Sequence, residues 1–288
     1  MPGSVTDRLN SLLGSQADFA DHNGCPPEAP SCAFSIGSAN AGTGATGVVG
    51  TAFGTASTAL VGLGGGYGVE HSDLYDGGKA DLGFSTGAAF LAHAPDAGLQ
   101  FTAAASAMWI TADIDRGYMN GGGTTTSSGS TTGAGYGGLA RIGWAFRPAP
   151  AFAFIPFAEY DFIRESLAAY TETSGPFPAM IGEMANTEQT TRLGTEARYA
   201  GPGGSSLWSS LAWAHRFGDA APAISASLID LFDVASPADA SGADWLEAAA
   251  GIKLPLTARA AIDSSVTLAA FSSNVPSVQG DVGLSAAF

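Results

Sequence analysis

The chain has 288 residues, 45% of them apolar, and only 13% are charged, where about 25% is ordinary for a soluble domain. Its 26 acidic residues against 11 basic ones leave a net charge of −15, which excludes a surface built to grip a phosphate backbone. The apolar fraction excludes a disordered acidic tail, and the 40 glycines lack the period of three that collagen requires.

The first residues, Met1 to Leu9, carry no basic patch followed by an apolar core, so no signal peptide is expected in this sequence. Two explanations stand: a cytosolic protein, or the C-terminal piece of a longer precursor. From Ser4 to Ala20 the pattern is helical. Ser4 and Asp7 suit an N-cap, and Val5, Leu9, Leu12 and Leu13 fall on one stripe. Asp7, Arg8, Asn10, Ser11 and Gln16 occupy the other side. A lone helix of about four turns is marginal in water. It is expected either to pack against something larger or to fray.

Cys25 and Cys32 are the only cysteines, and Pro26, Pro27 and Pro30 lie between them. The spacing lacks the short ligand pairs of a zinc site and suits a small disulfide loop in an oxidising compartment. Two unpaired thiols are the alternative.

Residues 46–69 carry no charge and include Gly50 and Gly54 at the spacing of a transmembrane helix pair. The stretch is too rich in Gly and Thr for a helix. Val61, Leu63, Tyr67 and Val69 share one parity while Gly62, Gly64, Gly66 and Gly68 share the other, which is the period of a strand. The same alternation recurs. In 80–92, Leu82, Phe84, Ala88 and Phe90 oppose Asp81, Gly83, Ser85 and Gly87. In 138–147, Ile142, Trp144 and Phe146 oppose Arg141, Gly143 and Arg147. Leu193 and Tyr199 oppose Arg192, Glu196 and Arg198; Leu246, Ile252 and Leu254 oppose Glu247 and Lys253. A soluble sandwich also alternates, but its strands are shorter and its exposed face carries more Lys and Glu.

Strands are predicted over 33–39, 46–55, 58–71, 79–93, 98–113, 136–147, 152–167, 188–200, 205–217, 244–256, 262–272 and 278–288. The connections 72–78, 114–135, 168–187 and 218–243 are long; 56–57, 94–97, 148–151, 201–204 and 257–261 are short and rich in Pro and Gly. That asymmetry is expected of short periplasmic turns and long outer loops. The connections 40–45 and 273–277 are short and fit it less well. The fold class expected is all-β and transmembrane: a 12-stranded antiparallel outer-membrane β-barrel over 25–288, with residues 1–24 as a helix in the lumen and its connection.

The Gly, Thr and Ser of 119–135 predict a mobile loop. Residues 224–234 alternate weakly and would extend neighbouring strands above the membrane. Asp73, Asp76, Asp115, Glu172, Glu183, Asp219, Asp239 and Asp244 are expected to solvate the outer rim. Inward parity predicts Lys79, Asp81, Arg141, Glu159, Asp161, Arg192, Glu196, Arg198, Arg216, Glu247, Lys253 and Asp281 around the lumen, where Arg141, Arg192 and Arg198 would face the helix and Glu159 and Glu196 would balance them. Inward Gly62 to Gly68 and Gly83 to Gly87 would admit close neighbours.

Of four histidines, His71 with Ser72 and Asp73 is the one arrangement that could activate a water, though a polar loop entry explains it. His93 sits beside a short turn, His215 lies on an apolar parity near the rim, and His22 follows the helix. No nucleophile elbow, phosphate loop or metal pattern is present in the sequence, so no catalytic residue, metal or cofactor is expected.

A helix, a Cys-bracketed link and twelve strands ending in an aromatic residue resemble the translocator domain of autotransporters, the type V secretion family. The segment Leu211 to Asp219, with Trp213, His215 and Phe217, is similar to the family's late strand before an outer loop. Asp113 to Tyr118 resembles the top of its fifth strand, and Ile155 to Tyr160 its seventh. The terminal Asp281, Gly283, Ala286 and Phe288 resemble the family's signal for the barrel-insertion machinery. The resemblance implies a barrel that anchors in the bacterial outer membrane and exports an N-terminal passenger absent from this chain. Its implied partners are membrane lipid, the insertion machinery and that passenger; it would act as a monomer and bind no nucleic acid. Self-cleavage at an Asn-Asn bond is not implied, since none lies near the helix. A passive porin-like channel and a barrel enzyme are the alternatives.

Overall fold

The computed structural model describes residues 2–22, 25, 31–40, 44–56, 58–218, 223–228, 232–236, 243–270 and 278–288, and among these the side chains of all but 2–8, 10, 40, 55, 56 and 218. One helix, α1 (Pro2–Asp21), precedes the strands. These are β1 (Ser31–Asn40), β2 (Gly44–Ala56), β3 (Ala59–Asp73), β4 (Lys79–His93), β5 (Gly98–Asn120), β6 (Gly123–Ala149), β7 (Phe152–Leu167), β8 (Tyr170–Thr171), β9 (Ala179–Ile181), β10 (Met184–Ala200), β11 (Ser206–Gly218), β12 (Ile224–Leu228), β13 (Phe232–Ser236), β14 (Ala243–Thr257), β15 (Ala260–Ala270) and β16 (Val278–Ala287).

Twelve of them, β1–β7, β10, β11 and β14–β16, form one closed antiparallel barrel, sealed where Cys32 to Asn40 pairs with Ala287 to Gln279. Closure removes every free strand edge from the wall. β13, β12, β9 and β8 make a separate four-stranded sheet from the long connections. No described helix is long and apolar enough to cross a membrane.

Two long connections differ from the sequence expectation. Residues 119–135 are not a mobile loop, and 114–118 belong to β5: β5 and β6 stay paired as far as Asn120 and Gly123. Gly121 and Gly122 have φ of 61° and 92°, the two positive values a tight two-residue hairpin requires. The threonines that follow are β-branched and suit a strand. Residues 224–234 do not extend β11 and β14 either. They form β12 and β13, which pair with each other, and β12 also pairs with β9. The connections around 41–43 and 271–277, and Asp219 and Asp239, lie outside the described residues.

The outward face is apolar along most of its height. Leu63, Leu193, Leu211, Val282 and Leu284 are exposed on it, with aromatic side chains towards both ends. Tyr67 and Trp109 mark one belt, each opposite Ser85 on β4; Phe101, Trp144, Phe152 and Tyr199 mark the other, near the short turns.

The interior divides into two halves. From β1 to β5 the inward side chains are mostly apolar, including Phe34, Ile36, Val48, Leu82, Phe84, Phe90, Met108 and Ile110, all buried, with Glu70, Thr102 and Ser106 among the polar exceptions. From β6 round to β16 they are largely charged. The 79–93 parity is therefore inverted relative to the sequence reading: Leu82, Phe84, Ala88 and Phe90 point in, while Lys79, Asp81, Gly83 and Gly87 point out. The reason is the helix. Leu9, Leu12, Leu13 and Phe19 need a dry wall, and each such side chain removed from water contributes about 1.5–3 kcal/mol. Phe19 packs 5.0 Å from Phe34 and 5.8 Å from Phe90 by ring centroids. Inward Gly62 makes room for that group, because a Cβ there would sit 2.1 Å from the Phe90 ring. Lys79 and Asp81 can face out because they lie beyond the Tyr67–Trp109 belt, where Lys79 approaches Asp115 at 3.6 Å.

Candidate functional site: the plugged lumen

Leu9 lies against Gly135 and Leu13 against Gly137, in the half of the barrel nearer the long connections. Asp21, at the other end of α1, accepts a hydrogen bond from Thr102, four residues into β5 from its short turn. The helix thus runs with its N-terminal end towards the long connections. Cys25 and Cys32 form a disulfide at the opposite end, tying the helix link to the start of β1.

The charged half of the wall meets the lower turns of the helix. Glu196 is the centre: it accepts from Arg141 at 2.7 Å and from Arg198, and lies 3.1 Å from His22 Nε2. Arg141 also pairs with Asp21 at 3.4 Å and lies 3.8 Å above the Phe157 ring. Arg198 donates to the Asp21 carbonyl at 3.2 Å. His22 stacks on Trp208 at 4.6 Å, and its Nδ1 lies 2.8 Å from the Asp18 carbonyl oxygen. Higher on the helix, Ser15 donates to Asp281 at 2.5 Å and Gln16 to Ser106 at 2.8 Å. The helix is therefore held by apolar packing against β1–β5 and by polar contacts that reach β5 as well as the charged half of the wall.

A second cluster surrounds Arg192, which reaches Glu247 at 2.8 Å, Glu159 at 3.2 Å, and Asp161. Among the described residues no bond joins it to the helix; it holds three strands of the wall together instead. Arg216 lies 3.7 Å from Glu188 and 6.0 Å from the Trp245 ring. Lys253 donates to the Cys25 carbonyl at 3.5 Å. The side chains of Asp7, Arg8 and Asn10 lie outside the described residues. His22, Trp208, Phe19 and Ser15 were not singled out in the sequence. Phe19 and Ser15 continue the two helix stripes; His22 and Trp208 carry no signal before the fold joins them.

At the C-terminus Asp281 and Gly283 point inward, Ala286 and Phe288 outward, and the Phe288 carbonyl accepts from Ser31 at 3.4 Å. His71 bonds Asp81 at 2.6 Å on the outer face, but Ser72 lies on the opposite face and donates to Glu70 at 3.3 Å. His71 also lies 3.6 Å from Asp73, so it stands between two carboxylates at the exposed outer end of the strand. His215 stands between Trp213 and Phe217 and bonds Asp244 at 2.9 Å; His93 approaches Thr58 at 3.3 Å. Among the described residues no group of three or more His, Cys, Asp or Glu is placed to hold a metal ion.

Glu172 is not a solvated rim residue. Arg116, on the β5–β6 extension, forks onto it with two bonds of 2.8 Å, and the Ala179 amide adds a third at 2.8 Å. Arg116 also donates to the Phe177 carbonyl, and Tyr118 bonds Ser127 at 3.0 Å. The Tyr170 phenol beside Glu172 is pushed up to about 12, by burial first and the carboxylate second. A charged hydrogen-bonded pair contributes about 1.5–3 kcal/mol, so Glu172→Gln should raise cleavage within 168–183 by protease roughly tenfold and leave the barrel folded. Limited proteolysis followed by mass spectrometry checks this; unchanged cleavage would mean the clamp is dispensable.

Comparison with known proteins gives the context. A family model described as the autotransporter beta-domain matches residues 35–267. The translocator domain of autotransporter NalP from Neisseria meningitidis is similar in fold, with a TM-score of 0.78 at 14% identity, over 100% of this chain and 97% of that one. The transport unit of AIDA-I from Escherichia coli gives 0.55 at 14% identity, over 98% and 99%. The beta domain of the Bordetella autotransporter BrkA gives 0.53 at 19% identity, over 90% and 98%. No match is found among curated proteins.

Proposed function

The chain belongs to the autotransporter beta-domain family, and from that premise we infer an outer-membrane translocator that exports a polypeptide joined to the N-terminal end of α1. The translocator role follows from the family; the arrangement in the membrane is our reading. The apolar outer face lies in the outer-membrane hydrocarbon as a multi-pass barrel, the short turns face the periplasm, and the long connections face outward. The insertion machinery reads Asp281, Gly283, Ala286 and Phe288, and the chain works as a monomer.

One observation carries this reading. A helix threads a closed barrel with its leading end towards the long connections, so any segment preceding it emerges on that side. A passive pore gains nothing from a helix held by Arg141, Arg198 and Ser15. The translocator passes a chain and makes no bonds, and we assign it no catalytic residue. The Cys25–Cys32 disulfide suits an oxidising periplasm.

The test is a reporter domain joined ahead of Pro2, with an epitope after Phe288. In intact cells, added protease should remove the reporter and spare the epitope. A reporter protected in cells whose barrel is folded, as judged by heat-modifiable migration, would refute the reading.

A further inference from the structure

The helix seals one side of the lumen and not the other. Against β1–β5 the contact is mostly apolar, with Ser106 and Thr102 bonding Gln16 and Asp21. On the charged side α1 presents Gly14, Ala17 and Asp18, and a cavity of about 140 Å³ remains beside them. A Cβ added at Gly14 would meet nothing within 4 Å, so the space there is open. A second cavity of about 20 Å³ continues towards Lys253 and His22, and the two share Asp18, Trp208 and Asp281.

The lining is unbalanced. Asp18, Glu159, Asp161, Glu247 and Asp281 face Arg141 and Arg192, five carboxylates against two guanidiniums, beside Glu188 paired with Arg216. The smaller cavity adds Asp263 against Lys253, with His22 beside them. Arg192 is already shared among three carboxylates, and Arg141 between Asp21 and Glu196. Asp161 is 1% exposed, and its Oδ2 has no hydrogen-bond partner among the described residues. A fixed acceptor in a low-dielectric wall, with more carboxylates around it than guanidiniums, favours mobile positive charge and repels negative charge.

We propose that this crevice beside the plugging helix conducts small hydrated cations and rejects anions, an ion-permeation activity distinct from polypeptide export. It rests on the transmembrane placement inferred above. The recognised species is an inorganic monovalent cation passing between carboxylate oxygens. The two basic clusters fix the wall; the surplus carboxylates set the sign of what enters.

The test uses the full chain in planar bilayers with potassium chloride at unequal concentrations on the two sides. Small currents are expected, with a reversal potential corresponding to potassium preferred over chloride by about threefold or more. Gly14→Phe fills the open space and should remove most of that current. Glu159→Gln with Asp161→Asn should bring the preference close to parity. A silent full-length protein, a chloride preference, or currents untouched by Gly14→Phe would each overturn the proposal. Deleting residues 2–22 separates the two readings: large unselective pores from the deleted form, beside a silent full chain, would sink the conducting crevice and leave the translocator standing.

Discussion

Deleting residues 2–22 should raise single-channel conductance in planar bilayers by roughly tenfold or more, because a barrel of twelve strands has an interior that side chains alone do not close. Leu9, Leu12, Leu13, Phe19 and Ala20 are all buried in the lumen, and nothing else occupies their place. The loss exposes the apolar wall of β1–β5 to water, so the barrel should also unfold at lower temperature. Heat-modifiable migration in detergent verifies that the deleted form is still a barrel. Phe19→Asp is a milder probe: it places an uncompensated charge between Phe34 and Phe90, and should give brief openings with the helix retained. Conductance unchanged by both would mean that α1 does not occlude the pore.

Replacing Arg141 should be the most damaging single change in the wall. Its guanidinium is 9% exposed and lies between Asp21 and Glu196, with the Phe157 ring beneath it. Burying an ion pair brings little net gain, but removing one partner strands the other in low dielectric at about 3–5 kcal/mol. Arg141→Met leaves Glu196 on Arg198 and His22 and the Asp21 carboxylate on Thr102, and should lower the unfolding free energy measured in urea by that amount. Glu196→Gln on the same background removes the excess negative charge and should recover part of the loss. Arg141→Lys should not rescue fully, since one ammonium cannot bond both carboxylates and cover the ring. If the double variant were no more stable than Arg141→Met, the cluster would not be a coupled unit.

The period of two in the sequence is enough to place strands. The run Leu193, Thr195, Ala197 and Tyr199 against Arg192, Glu196 and Arg198 gives both the element and its facing, because charge can lie only on the lumenal side within the hydrocarbon band. The same logic fails for 79–93. There the hydrocarbon-facing parity is Gly87, Ala89 and Leu91, and the lumenal parity carries Phe84 and Phe90. Alternation reveals two faces but not which is inside when the inside holds an apolar helix. Lys79 and Asp81 mislead for a related reason: they lie past the outer aromatic belt, where an outward charge costs little.

The β5–β6 extension was hidden because Gly, Ser and Thr read as a linker. What orders them is remote in sequence, namely Arg116 reaching Glu172 and the Thr173 amide bonding the Ser128 carbonyl at 2.9 Å. The lumenal network is half legible in the same way. Periodicity marks Arg141 and Glu196 as neighbours on a common side of the wall, but not that Glu196 meets His22, 174 positions earlier.

Twelve crossings of the wall are an even number, and a chain that makes only those returns to the compartment it left. The helix adds one more passage and makes the total odd. In the membrane arrangement proposed above, the two termini therefore open onto different compartments. Whatever is joined ahead of Pro2 is delivered to the far side by parity alone, and whatever follows Phe288 stays behind. Adding or losing a single hairpin would leave that sorting intact, whereas drawing the helix back out of the lumen would leave both ends in one compartment.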